Sequence, residues 1–112
     1  MNAKHNVSLL NLTPQCWYAI AVADNYHRAI FGQPITITSA RDGHHMNQSK
    51  HYSGEAFDFR TRDLTTPQRQ SLHTTLKADL AQLGFDVLDE ITHIHIEYDP
   101  GPNSAPWVEN VS

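Results

Sequence analysis

The sequence predicts an α+β domain in which helices pack on one face of a small, mostly antiparallel sheet. Helix-type and strand-type hydrophobic patterns follow one another in the order helix, strand, strand, helix, strand, with short connections between them. The 112 residues are enough for one hydrophobic core without disulfide bonds but too few for two. Residues 1–112 are therefore expected to form a single domain.

Two Thr-Pro pairs mark the predicted helix starts, because threonine is a good N-cap and proline suits the first helical position. The first pair, at residues 13–14, precedes apolar residues that recur at helical spacing from Trp17, and Gly32 ends this run. The second pair, at residues 66–67, precedes a stripe of leucines that ends at Gly84, a residue type favoured in left-handed C-caps.

Alternating patterns predict the strands. Residues 35–38 and 56–60 alternate apolar and polar side chains, and residues 85–88 form a short apolar run. Residues 93–98 alternate strictly, so that His93, His95 and Glu97 are expected on one face and three apolar residues on the other. The polar segment 41–50 is expected to be a loop.

Composition excludes several classes of protein. The net charge of -4 argues against nucleic-acid binding, which needs a basic surface to replace phosphate counterions. No apolar run approaches the roughly 20 residues that cross a bilayer, so no membrane partner is expected. The first twelve residues lack the layout of a signal peptide, which predicts synthesis in the cytoplasm. A single cysteine excludes an intramolecular disulfide bond, whereas eight histidines are an unusual number.

Histidines and carboxylates occur in two groups that suit a metal site. His51 and Asp58 lie seven residues apart, and His93 and His95 share one face of the last predicted strand, shortly after Glu90. Zinc in hydrolases takes three nitrogen or oxygen ligands and leaves a fourth position for water. A further carboxylate or imidazole is then needed to move a proton. These residues supply all of those groups for metal-assisted peptide hydrolysis.

The window from Ser49 to Asp58 fits the pattern SxHxxGxAxD at every specified position. In this it resembles the zinc D-Ala-D-Ala carboxypeptidases and their L-alanyl-D-glutamate peptidase relatives. The resemblance implies that His51 and Asp58 bind Zn²⁺, that a later histidine is the third ligand, and that an upstream glutamate is the catalytic base. It also implies that Arg41 binds a carboxylate of the substrate, and Ser49 is expected to orient neighbouring groups by hydrogen bonding.

The segment His93-Ile94-His95, with residues 42–45, 51–52 and 84–86, is also similar to the signalling domain of Hedgehog proteins, which share this fold and its zinc site. This similarity favours His95 as the third ligand and leaves His93 to stabilise the transition state or transfer a proton. The Glu-x-x-His pattern of the peptidases would instead pair Glu90, as base, with His93 as ligand.

The resulting hypothesis is a zinc metallopeptidase that cleaves an amide bond in bacterial cell-wall peptides, with Glu90 and His93 as catalytic residues. A phage-type endolysin, reaching the wall after lysis, is the expected setting. The alternative hypothesis is a zinc-containing binding module of the same fold without catalytic activity, because Hedgehog domains act through protein binding. A histidine-metal nuclease is disfavoured by the acidic charge.

Overall fold

The computed structural model describes residues 1–41 and 55–99. These residues form two α-helices, a short 3-10 turn and five β-strands. In chain order the elements are β1 (Asn2–Ala3), α1 (Pro14–Phe31), β2 (Thr36–Arg41), β3 (Ala56–Arg60), α2 (Thr66–Leu80), the 3-10 turn (Ala81–Leu83), β4 (Phe85–Asp89) and β5 (His93–Tyr98).

The strands form one sheet in the order β1-β2-β3-β5-β4. The pairs β2–β3, β3–β5 and β4–β5 are antiparallel, whereas β1 runs parallel to β2. The predicted α+β class and both predicted helices are confirmed. The sheet is mixed, because β1 adds a parallel edge strand that the sequence pattern does not predict.

Helix α1 begins as its Thr-Pro pair predicts, whereas the N-cap of α2 is Thr65, one residue before the predicted pair, so that Thr66 is already helical. The Thr13 side chain caps α1 by accepting the Cys16 N–H, and Thr65 forms a capping box with Gln68 at the start of α2. Helix α1 ends at Gly32, whose φ of 81° is the left-handed conformation that glycine adopts without strain. Within the described residues, neither helix is long and apolar enough to cross a membrane.

The hydrophobic core lies between the two helices and one face of the sheet. Strands β3 and β5 contribute alternate apolar residues, and α2 contributes the predicted leucine stripe. The fully buried members of this core include Phe57, Phe59, Leu72, Leu76, Leu80, Ile94 and Ile96. In α1 the buried face agrees only in part with the prediction: Ile20, which continues the predicted spacing from Trp17, is buried, but Trp17 itself is 40% exposed, and Cys16 and Ala19 are buried in its place.

A buried carboxylate joins the start of β3 to the start of α1. Glu55 is 1% exposed, and its carboxylate accepts the Thr13 N–H at 2.8 Å and also the Thr13 hydroxyl. A negative charge at this end of a helix interacts favourably with the helix dipole. Burial, together with the charge of Glu55, raises the pKa of the Cys16 thiol to about 12, so this cysteine is an unreactive core residue.

A β-bulge in β2 changes which residues face the core. Ile37 pairs with Phe59, but Ser39 pairs with Asp58, so Thr38 is an extra residue on the β2 side. Before the bulge the odd-numbered residue Ile37 points into the core. After it Ala40 pairs with Phe57 on the core face, which turns Ser39 and Arg41 to the opposite face.

We expect Leu76→Ala to lower the free energy of unfolding by about 2–5 kcal/mol, because the side chain is 0% exposed and its removal leaves a cavity. Urea denaturation followed by circular dichroism measures the change. Leu10→Ala is the control, since Leu10 is 90% exposed and should change stability by less than about 0.5 kcal/mol. Equal effects of the two substitutions would contradict the location of the core.

Candidate metal centre

The face of the sheet opposite the helices carries the histidines and carboxylates singled out by the sequence. In the antiparallel pair β3–β5, Asp58 is the direct partner of His95, and Arg60 is the partner of His93. The burial of β5 alternates as predicted, with His93, His95 and Glu97 partly exposed and the intervening residues buried. Alternation therefore sends apolar side chains into the core and polar ones to a single shared surface.

His95 lies between two carboxylates. Its Nδ1 is 2.6 Å from Asp58 Oδ1, and its Nε2 is 3.0 Å from Glu97 Oε1. Partial burial opposes a positive charge on this ring, but the hydrogen bonds to Glu97 and Asp58 and their negative charges raise the pKa of His95 overall. A metal ion can bind only a ring nitrogen that carries no proton, so the raised pKa makes metal binding compete with protonation of His95.

A second group next to this one could also hold a metal ion. One ligand atom from each of Asp58, Glu90 and His93 can be chosen so that all three lie within 4.8 Å of one another. His93 Nε2 is 2.8 Å from Glu90 Oε1 and 3.8 Å from Asp58 Oδ2. Asp58 thus faces His95 with one oxygen and His93 with the other, so it belongs to both groups.

The predicted base, Glu90, lies in the turn between β4 and β5, three residues before His93. Its side chain is 47% exposed, compared with 22% for Asp58, so its carboxylate can exchange protons with solvent. The turn includes Ile91 at φ 73°, a left-handed conformation that is unfavourable for a β-branched residue. Surrounding contacts must therefore hold the turn in place.

Arg41 faces this same surface because of the bulge in β2. Its Nη2 is 3.3 Å from Glu97 Oε1, the oxygen that also contacts His95. Ala56 lies between Arg41 and Glu97 in the sheet, pairing with both, and its small side chain lets the two longer ones meet above it. Arg41 thus contacts a carboxylate of the protein itself, and its predicted contact with a substrate carboxylate stays a prediction.

Two of the predicted site residues, His51 and Ser49, lie outside the described residues, as does most of the predicted loop at 41–50. Asp58, Glu90, His93 and His95 are brought together as expected. The alternation of β5 predicts that Glu97 shares this face with the two histidines, but it does not predict a role for Glu97. The sequence signal for its contact with His95 is that the two residues are two positions apart on a strand.

Comparison of the chain with protein-family models, with curated proteins and with solved structures finds no match. The family resemblance of the SxHxxGxAxD window therefore stays a prediction. What the structure adds is the metal-binding potential of Asp58, Glu90 and His93, which rests on geometry alone.

We expect Ile91→Asn to raise the free energy of unfolding by about 0.5–1 kcal/mol. Asparagine tolerates a positive φ better than isoleucine, and the Ile91 side chain is 66% exposed, so little apolar burial is lost. Thermal and urea denaturation of the metal-free protein measure the gain. A loss of stability would show that the isoleucine side chain makes a stabilising contact that outweighs the backbone strain.

Proposed function

We propose that this protein is a zinc peptidase that hydrolyses an amide bond in peptidoglycan peptides. The observation that carries the proposal is the joint placement, on one surface, of an Asp58–His95–Glu97 hydrogen-bonded chain and a Glu90–His93 pair. The first group has the character of a metal site with its supporting carboxylate, and the second has that of a proton-transfer pair. The choice of peptidoglycan as substrate rests on the resemblance of the sequence window.

In this proposal Asp58 and Nδ1 of His95 are zinc ligands. Histidines that bind metals almost always donate their other ring N–H to a carboxylate or carbonyl, which fixes the tautomer and the ring orientation. Glu97 is in that position, 3.0 Å from Nε2 of His95, and is itself held by Arg41. His51 completes the ligand set of nitrogen and oxygen donors that zinc prefers.

The competing ligand set uses His93 instead of His95, together with Asp58 and Glu90. It agrees with the Glu-x-x-His spacing of residues 90–93. We prefer His95 because it is the direct cross-strand partner of Asp58 and has a carboxylate at its second nitrogen, whereas Nε2 of His93 contacts Glu90, the group needed for proton transfer.

When bound, zinc would polarise the carbonyl under attack and make water a better nucleophile near neutral pH. Glu90 would take a proton from the attacking water as the new C–O bond forms, and would return it to the amine nitrogen as the C–N bond breaks. The partial exposure of Glu90 supports this exchange. His93, whose Nε2 lies 2.8 Å from Glu90 Oε1, would stabilise the negative oxygen of the intermediate or relay the proton.

Substrate binding is proposed for Arg41 and Ser49. A guanidinium group matches a carboxylate through two parallel hydrogen bonds, and stem peptides of the cell wall contain free carboxylates. Arg41 is 46% exposed, so it can contact a bound peptide while it also contacts Glu97.

We expect His95→Gln to weaken zinc binding by more than about 100-fold, and Glu97→Gln to weaken it by about 10–100-fold through loss of the supporting carboxylate. His93→Gln should weaken binding least. Competition with a chromophoric zinc chelator measures all three affinities. A larger loss of affinity for His93→Gln than for His95→Gln would favour the competing ligand set.

Removing zinc with a chelator should also lower the melting temperature of the wild type, since metal binding is coupled to folding.

Glu90→Gln should retain zinc but lower the rate of peptide cleavage by about 10²–10⁴-fold, because the amide cannot accept the proton. Mass spectrometry of purified muropeptides after incubation with zinc-loaded protein measures turnover and identifies the bond that is cut. Asp63→Asn, which removes an exposed carboxylate outside the site, is the control and should cleave like the wild type. A wild type that binds one zinc ion and cleaves nothing would instead support the non-catalytic binding module.

A further inference from the structure

The turn that carries Glu90 is unusually well fixed for an exposed hairpin turn. All six backbone N–H and C=O groups of Glu90, Ile91 and Thr92 have hydrogen-bond partners. The Glu90 N–H donates to His93 O at 2.9 Å, and its C=O accepts the Thr92 N–H at 2.8 Å. The other three groups, which are the Ile91 N–H, the Ile91 C=O and the Thr92 C=O, form hydrogen bonds with residues outside the turn.

Two of those bonds come from the end of β3. The Thr61 hydroxyl donates to Ile91 O at 2.8 Å, and the Thr61 N–H donates to Thr92 O at 2.9 Å. Thr61 is 1% exposed, so these bonds are shielded from competing water. The turn is thereby joined to the strand that carries Asp58.

The third of these bonds, from the Ile91 N–H, is accepted by a carboxylate that a residue of α2 holds in place. Asp89 Oδ1 accepts the Ile91 N–H at 3.0 Å, and Arg69 Nε lies 3.0 Å from each of the two Asp89 oxygens. The side chains of Arg69 and Asp89 are only 16% and 21% exposed, which strengthens the ion pair relative to a surface pair. Arg69 therefore fixes the carboxylate that holds the amide of the strained residue next to Glu90.

We propose that Arg69 is a positioning residue that acts through Asp89 and the Ile91 turn to hold the Glu90 carboxylate against His93. The strained φ of Ile91 is the reason that an anchor is needed: without its partners, the turn would relax and carry Glu90 away from Nε2 of His93. The assignment of Glu90 as the proton-transfer group rests on the proposed function, whereas the anchoring of the turn does not.

The chain contains a matched control for this arrangement. Asp24, like Asp89, accepts one arginine Nε and one backbone N–H, here from Arg28 and Ile35, at 2.9 Å each. This second ion pair lies on α1, where Asp24 and Arg28 are four residues apart, and its amide partner Ile35 lies just before β2, away from the turn. Arg69→Gln and Arg28→Gln therefore each remove an arginine Nε from a carboxylate that also accepts a backbone N–H, one beside Glu90 and one remote from it, although the Arg28 side chain is 52% exposed and that of Arg69 16%.

The first measurement is amide hydrogen exchange of the metal-free protein. In Arg69→Gln, the amides of Glu90, Ile91 and Thr92 should exchange about tenfold faster than in the wild type, relative to the core amides of α2. In Arg28→Gln they should follow the wild type. Unchanged exchange in Arg69→Gln would overturn the proposal. If Arg69→Gln does not fold, Arg69→Lys, which keeps the charge but lacks the Nε donor, should show the same local increase.

The second measurement is the kinetics of muropeptide cleavage with zinc-loaded protein. Arg69→Gln should lower kcat on the order of 10–100-fold with KM within about twofold, because a displaced carboxylate affects the chemical step rather than binding. Arg28→Gln should keep both constants. Faster exchange with an unchanged kcat would overturn the positioning role. A wild type without activity would overturn the proposed function, and the exchange data alone would then decide whether Arg69 orders the turn.

Discussion

The alternation of β3 is the constraint on which both the core and the candidate site depend. Phe57 and Phe59 point into the core and are fully buried, so Asp58 between them must face the other way. Its pairing with His95 on β5 then fixes which histidine it meets. Because a shift of one residue would bury the carboxylate and expose two aromatic rings, burial of the phenylalanines holds the register that the site requires.

The two halves of the candidate site differ in how the protein supports them. Asp58 and His95 are held by β3 and β5, which pair with each other and each have a further strand on the other side. Glu90 extends from a turn and depends on contacts made by Asp89 and Thr61. In the proposed mechanism Glu90 accepts and releases a proton, for which solvent access is an advantage, and the hydrogen bonds of the turn limit the disorder that exposure would otherwise bring.

Local rules predicted much of the fold from the sequence. The Thr-Pro pairs predict both helix starts to within one residue, although α2 is capped by Thr65 rather than Thr66, and strict alternation in residues 93–98 predicts the two faces of β5. The same alternation predicted that His93 and His95 share a surface. What could not be predicted depends on distant parts of the chain: the parallel pairing of β1, the inward face of α1, the partners of Glu97, and the contacts that hold Ile91 at a positive φ. Each of these is decided by tertiary packing rather than by nearby residues.

The extra residue in β2 shifts the alternation of the strand by one position. Upstream of Thr38 the odd-numbered Ile37 faces the core, whereas downstream the odd-numbered Arg41 faces the opposite surface, where it meets Glu97. If the bulge were absent and Thr38 paired with Asp58, strict alternation would continue through the strand and would direct the Arg41 guanidinium into hydrocarbon surroundings, which is costly for a charged group. The bulge thus allows β2 to carry the buried Ile37 and the charged Arg41 on opposite faces of the sheet without a loop between them.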